Sequence, residues 1–386
     1  MGVIGTDGMT RRRRIAFVIN SLVGGGAERI MCLVAGAIRS RHPEHDYSLI
    51  LLDDEPRAYE PPAGVEVVDL KANGGAVRSA RALVRHFRSD RPDVTLSFLT
   101  RSNIASVASG RLLGHRTVIS ERVNTTSHLG SGPGATVAKA TVRLAYPCAD
   151  QVVAPSAGVA DELETRYGVS RHHLSVVPNP VDTCRIAALA AEPPPMPLPE
   201  RYIVTVGRLM PNKNQRLLLD AYAAARPAAD LVILGGGPLR EELLSRARDL
   251  GVADRVHLLG FVENPYAILA RADFYVSASN SEGFPNSLVE AMAVGLAVIS
   301  TNCPSGPSEI LADLPRDTVT GFTLAPHGIL VPTGDTTLLA EAIDRLSSDH
   351  ALRARYGAAA RARAEIYGVD RAVDGFWTAI ERALAA

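Results

Sequence analysis

Ser281-Glu282-Gly283-Phe284-Pro285-Asn286-Ser287-Leu288-Val289-Glu290 places two carboxylates eight positions apart around a glycine, a proline and two small polar residues, and runs on into the apolar segment Leu288 to Ala293. Pro285 and Asn286 predict a helix start, because Asn caps helices and Pro is tolerated only in the first turn. The first free backbone N–H groups then fall at Ser287 and Leu288, where they and the helix dipole form an anion site. Glu282 stands in the loop before that site. Glu290 stands about one turn inside the helix and leans back toward it, because Cα–Cβ bonds tilt toward the N-terminus. The arrangement suits a ligand with phosphate in the middle and a hydroxyl-rich group at each end, which is the layout of a nucleotide-sugar. Taken alone, two glutamates placed to favour a helix dipole explain the pattern equally well.

Outward from this stretch, short apolar runs alternate with helical patterns along the chain. The first half reads as strands Ile15–Ile19, Ser48–Leu52, Val65–Asp69, Val94–Phe98, Thr117–Ile119, Gln151–Ala154 and Ser175–Val177. Helices there are Ala27–Ile38, Val77–Arg88 and Ala135–Ala145. The second half reads as strands Tyr202–Val206, Leu231–Leu234, Val256–Leu259, Phe274–Ser277 and Ala297–Ser300, with helices Gln215–Ala224, Leu239–Asp249 and Ser287–Val294. This alternation predicts two open parallel sheets with helices on both faces. Pro178-Asn179-Pro180 ends the first half, and the proline-rich stretch Glu192 to Pro199 precedes the second. Proline at that density breaks both helix and ladder. Two doubly wound domains would face each other across a cleft at the carboxyl ends of their strands, where such folds bind ligands.

Two more loops fall at strand ends. Gly24-Gly25-Gly26 follows the first strand and lets backbone amides approach a phosphate, or simply turns the chain tightly. Arg208 and Lys213 flank the turn after the strand Tyr202–Val206, where two cations can neutralise a diphosphate. Gly235-Gly236-Gly237 follows the next strand.

The chain has 386 residues, 46% of them apolar, enough for two α/β domains with sizeable cores. The formal net charge of zero argues against a general nucleic-acid binder. It conceals an asymmetry: residues 1–190 carry 23 Lys and Arg against 18 Asp and Glu, about +5, balanced by about −5 in the remainder. Four scattered cysteines argue for a reducing compartment and against zinc or a disulfide framework. No apolar run has the length of a membrane span. Residues 1–10 read as disordered, with Met9 a second candidate start.

These segments resemble the family-4 glycosyltransferases, retaining nucleotide-sugar-dependent enzymes with the GT-B fold. The resemblance rests on Val206-Gly207-Arg208-Leu209 with Lys213, Leu234-Gly235-Gly236-Gly237-Pro238, Leu259-Gly260-Phe261, Ser281-Glu282-Gly283-Phe284 through Glu290-Ala291-Met292-Ala293, and Gly328-Ile329-Leu330-Val331. Val177-Pro178-Asn179-Pro180-Val181-Asp182 is similar to the family's hinge, and Gly25-Gly26-Ala27-Glu28-Arg29 to its N-terminal loop. The resemblance implies an N-terminal acceptor-side domain over residues 1–180, a nucleotide-sugar domain over 181–369, and a C-terminal helix at about 370–386 packing back on the first domain. It also implies site roles. Arg208 and Lys213 would hold the donor diphosphate, with Gly207 between them and the strand. Glu282 would bond the sugar hydroxyls, helped by Gly283, Phe284, Pro285, Asn286 and Ser287. Glu290 would bond the ribose, backbone near Phe261 and Val262 would meet the base, and Gly25 and Gly26 would approach the phosphates from the other domain. Relatives carry a histidine near the cleft where this chain reads Ser120-Glu121-Arg122-Val123-Asn124. Arg122 is the candidate for its electrostatic part, and His128 lies close in sequence.

The implied chemistry is retaining, metal-independent transfer of a hexose or N-acetylhexosamine from a UDP-sugar to a glycan or lipid-linked acceptor. No metal and no cofactor beyond the donor is expected. An epimerase of the same fold and a non-catalytic sugar-nucleotide-binding partner are the competing readings, whereas a dehydrogenase fails for want of G-x-G-x-x-G and a ribose carboxylate. Arg78, Arg81, Arg85 and Arg88 share one helix face, with Val77, Leu83, Val84 and Phe87 supplying apolar surface. Arg101, Arg111, Arg116, Lys139 and Arg143 add charge to the same half. This face is either merely solvated or a contact with anionic membrane. The expected location is the cytoplasm, with peripheral attachment to the inner face of the plasma membrane as the membrane-bound variant of that reading.

Overall fold

A computed structural model describes residues 11–386; the expected disorder of residues 1–10 lies outside the described residues. Seven strands build the first sheet: β1 Arg14–Ile19, β2 Asp46–Leu51, β3 Glu66–Asp69, β4 Val94–Phe98, β5 Arg116–Ser120, β6 Gln151–Ala154 and β7 Leu174–Val176. They lie in the order β3-β2-β1-β4-β5-β6-β7, all parallel. The second sheet contains β8 Tyr202–Val206, β9 Asp230–Leu234, β10 Val256–Gly260, β11 Phe274–Ser277, β12 Val298–Thr301, β13 Thr323–Ala325 and β14 Gly328–Val331. Its order is β10-β9-β8-β11-β12-β14-β13, parallel except for β13 against β14. Central strands are buried on both faces because helices cover both: every residue of β4 is buried, its Thr95 and Ser97 included. The fold is therefore two doubly wound domains. In each, strand order reverses between the first and fourth strands, at β1/β4 and at β8/β11, which opens a crevice at their carboxyl ends.

Strand ends fall within two residues of the sequence expectation, but several elements went unread in the sequence, among them the helices Ala157–Tyr167, Thr183–Ala190, Thr336–Ser348 and His350–Ala364 and the short hairpin-like edge of β13 and β14. The helix Thr100–Leu113 lacks a simple apolar stripe. Thr100–Leu113 instead buries Ser102, Asn103, Ser106 and Ser109. Three of these four side chains find partners, the Ser106 hydroxyl being the exception: the Asn103 amide donates to the Ser120 carbonyl at 3.0 Å and accepts from the Ser97 hydroxyl at 2.9 Å.

The chain crosses between domains twice, and the two crossings run side by side. Val181 pairs with Gly368, and the Val181 N–H donates to the Tyr367 carbonyl at 2.8 Å. After the second crossing, helix Val369–Ala385 returns to the first domain and buries Ala372, Val373, Phe376, Ala379, Ile380 and Ala383 in the core beneath β1, β4 and β6. Arg41 clasps its first turns through Asp370 and Asp374, and His42 stacks on Trp377 with ring centroids 3.6 Å apart.

Phe376 is fully buried, its ring 5.5 Å from that of Phe98. Phe376→Ala should destabilise the first domain by about 3–5 kcal/mol, seen as a lowered midpoint in thermal unfolding followed by circular dichroism. A change below about 1 kcal/mol would mean that the helix is not part of this core.

Candidate active site

On the second-domain side, the loop after β8 and the loop after β11 are tied together. The Asn280 N–H donates to the Asn212 carbonyl at 2.7 Å, and the Asn214 amide to the Asn280 side chain at 3.0 Å. Asn214 takes the left-handed conformation (φ 47°), where Asn is better tolerated than most residues, and caps helix Gln215–Ala225. This geometry brings Lys213 over Gly207 and into an ion pair with Glu282, Nζ to Oε1 2.5 Å. The same oxygen accepts from the Ser279 hydroxyl at 2.7 Å. Arg208 is exposed beside them, and its side chain has no ion-pair partner among the described residues. Gly235 and Gly237 must be glycine: a Cβ on either would lie 2.1 and 2.5 Å from the Gly207 and Leu209 carbonyls. Phe261 projects into solvent, 84% exposed, at the end of β10.

Helix Asn286–Ala293 begins one residue earlier than expected, and Asn286 is its first residue rather than its cap. The Asn286 side chain instead accepts from the Asn179 amide at 2.7 Å, across the cleft. Leu288 is not a free donor either, since its N–H bonds the Pro285 carbonyl at 3.0 Å. Among the described residues nothing accepts from the Ser287 N–H, and the Ser287 hydroxyl is placed 2.9 Å from the Tyr275 hydroxyl. Glu290 lies one turn inside, buried, and its carboxylate pairs with Arg29 of the first domain.

The first domain meets this surface at several points. A Cβ on Gly26 would stand 3.1 Å from the Asn286 amide nitrogen, so the glycine turn after β1 faces the start of the Asn286 helix. Gly25 is the residue before helix Gly26–Arg41. The Ser156 hydroxyl donates to the Gly283 carbonyl at 2.8 Å. Glu309 of the second domain accepts from the Ala157 and Gly158 N–H groups at 2.7 and 3.0 Å, at the positive end of helix Ala157–Tyr167.

Arg122 is a correction. Its backbone abuts Gly283, but its guanidinium turns into the first domain, donates to the Ser120 hydroxyl at 3.0 Å and lies 4.8 Å from the centre of the Phe98 ring. Burial lowers its pKa to about 9, against the raising effect of Glu121. The cation is therefore a packed interior group resting on aromatic faces, not a charge presented to the cleft.

Beside it, a recess of about 390 Å³ opens at the carboxyl ends of β1, β4 and β5, bounded by Asn20, Leu99, Thr100, Arg101, Glu121 and His128. Leu99 holds φ 76°, a strained conformation for a branched side chain. Glu121 is fully buried, and burial raises its pKa. It accepts from the Tyr146 hydroxyl, the Thr100 hydroxyl at 3.2 Å and the Arg122 N–H at 3.1 Å. Asp53 and Asp54, adjacent carboxylates at the end of β2, are both ion-paired, with Arg101 and Lys71. Among the described residues no group of three or more His, Cys, Asp or Glu is arranged to hold a metal ion.

Two family models match this architecture half by half. Residues 24–185 match Glycosyltransferase Family 4 and residues 191–363 match Glycosyl transferases group 1. The chain belongs to these GT-B glycosyltransferases.

A Campylobacter jejuni relative, N-acetylgalactosamine-N,N'-diacetylbacillosaminyl-diphospho-undecaprenol 4-alpha-N-acetylgalactosaminyltransferase, is 28% identical over 366 residues, covering 92% of this chain and 96% of that one. The lipopolysaccharide 1,6-galactosyltransferase of Escherichia coli is 31% identical over 202 residues, 50% of this chain and 52% of its own. Among solved structures, Anabaena HepE in complex with UDP and glucose superposes with a TM-score of 0.75 at 20% identity, over 96% of this chain and all of that one. Sucrose-phosphate synthase from Thermosynechococcus elongatus superposes with a TM-score of 0.78 at 18% identity, covering 97% of this chain and all of that one.

In this glycosyltransferase the sequence-predicted residues Lys213, Glu282, Gly283, Asn286 and Ser287 gather on one wall of the cleft, with Gly26 opposite. Arg29, Asn179, Ser156 and Tyr266 were missed as site residues. Arg29 and Asn179 sat inside quoted motifs without a role; Ser156 and Tyr266 carried no signal.

A Cβ at position 283 would lie 2.6 Å from the Arg122 carbonyl and from the Val123 Cα, both backbone atoms of the other domain. Gly283→Ala should leave each domain folded but oppose closure by about 1–3 kcal/mol, lowering turnover at least about fivefold with an unchanged circular dichroism spectrum. Wild-type turnover would show that the two backbones need not meet.

Proposed function

We propose that this glycosyltransferase moves a hexose or N-acetylhexosamine from a UDP-sugar to a hydroxyl of a saccharide carried on a lipid diphosphate, in bacterial surface-glycan synthesis. The observation that carries the reading is the cleft wall itself. The Lys213–Glu282 pair, the start of the Asn286 helix and Glu290 follow one another in the order that a donor sugar, a diphosphate and a ribose require. The C. jejuni relative named for transfer to a diphospho-undecaprenol saccharide, similar over nearly the whole chain, supports the acceptor class.

Donor chemistry follows from charge. As the bond between the anomeric carbon and the phosphate oxygen breaks, negative charge grows on the leaving diphosphate. Arg208, Lys213 and the helix N-terminus stabilise it. Glu282 accepts from sugar hydroxyls and orients the ring. The acceptor oxygen attacks the face that the phosphate leaves, and its proton passes to the departing phosphate oxygen, so configuration is retained and no metal is required. The recess at Glu121 and His128, across the cleft, receives the acceptor sugar. A donor screen by nucleotide release, with and without a lipid-linked saccharide extract, tests the whole. UDP release that depends on acceptor, persists in EDTA and gives an α-linked product by NMR is the expected result. A β-linked product, or activity lost in EDTA and restored by Mn²⁺, would overturn the mechanism; absence of any release would overturn the transferase assignment to this donor class.

The arginine helix supports membrane contact. Arg78, Arg81 and Arg85 on helix Ala76–Phe87, and Arg88 just after its last residue, are all exposed, and none pairs with a carboxylate among the described residues. Leu83 and Phe87, read from sequence as surface, are core instead. The exposed apolar residues are Val77, Leu112 on the helix packed alongside, and Val137 and Leu144 on helix Pro133–Ala145, which packs on that second helix in turn. Arg101 and Arg116 do not join them, being paired with Asp53 and Asp150. No helix of the described residues is long and apolar enough to cross a membrane. Neutralising Arg81, Arg85 and Arg88 together should weaken binding to anionic vesicles by about 1 kcal/mol per residue, read by sedimentation. Equal partition of the unaltered protein to neutral and anionic vesicles would mean that the face is merely solvated.

A further inference from the structure

Arg29 has no part in the donor chemistry set out above, yet among the described residues it makes the one charged side-chain contact across the cleft to a residue assigned to the donor. Its guanidinium reaches from the first turn of helix Gly26–Arg41, pairs with Glu290 and donates to the Tyr266 hydroxyl at 2.7 Å. Glu290 is otherwise buried in the second domain, with its side chain 9% exposed. Only one of its oxygens, Oε1, receives Arg29; Oε2 has no protein donor among the described residues. An ionised carboxylate offers about four acceptor positions, so a bond from Arg29 and bonds from two vicinal hydroxyls are compatible. Burial of an unpaired carboxylate would be costly, and the guanidinium offsets that cost.

We propose that Arg29 is a positioning residue for the donor: it holds the Glu290 carboxylate aimed, with Oε2 turned to a ribose, and it does so only when the domains are closed. The proposal rests on the assignment of Glu290 to the ribose. Tyr266 fixes the second edge of the same guanidinium, so the three groups act as one unit. The Glu290 carboxylate is the first cause of the rise in the Arg29 pKa, which keeps the guanidinium charged at any working pH. Because Arg29 lies one turn into the helix that Gly26 opens, the turn that faces the Asn286 helix and the side chain that grips Glu290 move together. The consequence is that a nucleoside diphosphate is bound tightly by the closed form and weakly by the open one.

A double-mutant cycle decides it. Binding of UDP and of GDP to the full-length protein is measured by calorimetry, and the tighter nucleotide is carried through Arg29→Gln, Arg29→Lys, Glu290→Ala and the Arg29→Gln, Glu290→Ala pair, each checked by circular dichroism. Glu290→Ala should weaken nucleotide binding about tenfold. Arg29→Gln should weaken it several-fold, raise the donor KM more than it lowers kcat, and add nothing in the Glu290→Ala background. Arg29→Lys, which restores the charge but not the fork, should recover part of the loss. Undiminished nucleotide binding in Arg29→Gln, or a loss fully additive with Glu290→Ala, overturns the role of Arg29 while leaving the donor site standing. Undiminished binding in Glu290→Ala, or no binding of either nucleotide to the unaltered protein, overturns the ribose assignment and the proposal with it.

Discussion

Closure of the two domains rests on a steric constraint: backbone must meet backbone at Gly283. The Gly283 Cα sits where any side chain would strike Arg122 and Val123 of the other domain. The same thinning of side chains recurs nearby. Gly26 faces Asn286, and Gly306, at φ 101°, leaves room for Pro285. With bulk removed, short polar contacts span the seam: Ser156 to the Gly283 carbonyl, Asn179 to Asn286, and Glu309 to the Ala157 and Gly158 N–H groups. Each neutral bond of this kind is worth only about 0.5–1.5 kcal/mol net, and those to the Glu309 carboxylate about 1.5–3 kcal/mol. The seam therefore fixes geometry closely while leaving closure reversible, which a cleft that admits and releases a ligand requires.

Charge in the cleft is arranged in pairs rather than as a field. Both carboxylates of the opening stretch, Glu282 and Glu290, carry a cation, Lys213 from the same domain and Arg29 from the opposite one. Paired carboxylates repel a diphosphate less than free ones, so the negative excess of the second half does not work against the donor. The local balance is set by Arg208 and by the N-terminus of the Asn286 helix. Net charge by halves, which is visible in the sequence, is a poor guide to a site whose charges are mutually neutralised by direct ion pairs.

The fold was legible because parallel strands buried on both faces are continuous apolar runs, and because glycine and proline mark where they end. The wall formed by Lys213, Glu282, Gly283 and Asn286 was legible because its residues lie on loops adjacent to strands. Contacts that close the cleft were not. Arg29 and Tyr266 are 237 positions apart, Arg29 and Glu290 261, and Asn179 and Asn286 107, with no local pattern joining them. Arg122 failed for a different reason. Its position after β5 places its backbone at the cleft, as expected, but the side chain turns toward Phe98 and Phe376, and the second of these arrives from the C-terminal helix. Asn286 failed likewise: a good capping residue by type, it is engaged by Asn179 from the other domain, so the tertiary contact overrides the local preference. The helix Thr100–Leu113 escaped notice because its buried face is built of serine and asparagine, and Asn103 and Ser102 find their partners on β4, β5 and the end of β1.

Two features of the first domain that the sequence kept separate are adjacent in space. Ala76, the first residue of the arginine helix, is also part of the wall of the recess at Glu121 and His128. Under the proposed function this adjacency has a chemical sense. A saccharide on a lipid diphosphate presents a hydroxyl-rich end and, a few sugar lengths away, a doubly charged phosphate group at the membrane surface. The recess presents Thr100 and His128 at its wall, and the fully buried Glu121 behind them accepts from the Thr100 hydroxyl. The helix that starts at its rim carries four exposed arginines outward from it, in register along one face. Anchoring by those arginines would bring the saccharide to the cleft without tight binding of the sugar itself. The Glu121 recess could then serve orientation rather than affinity, which leaves binding energy free for the transition state.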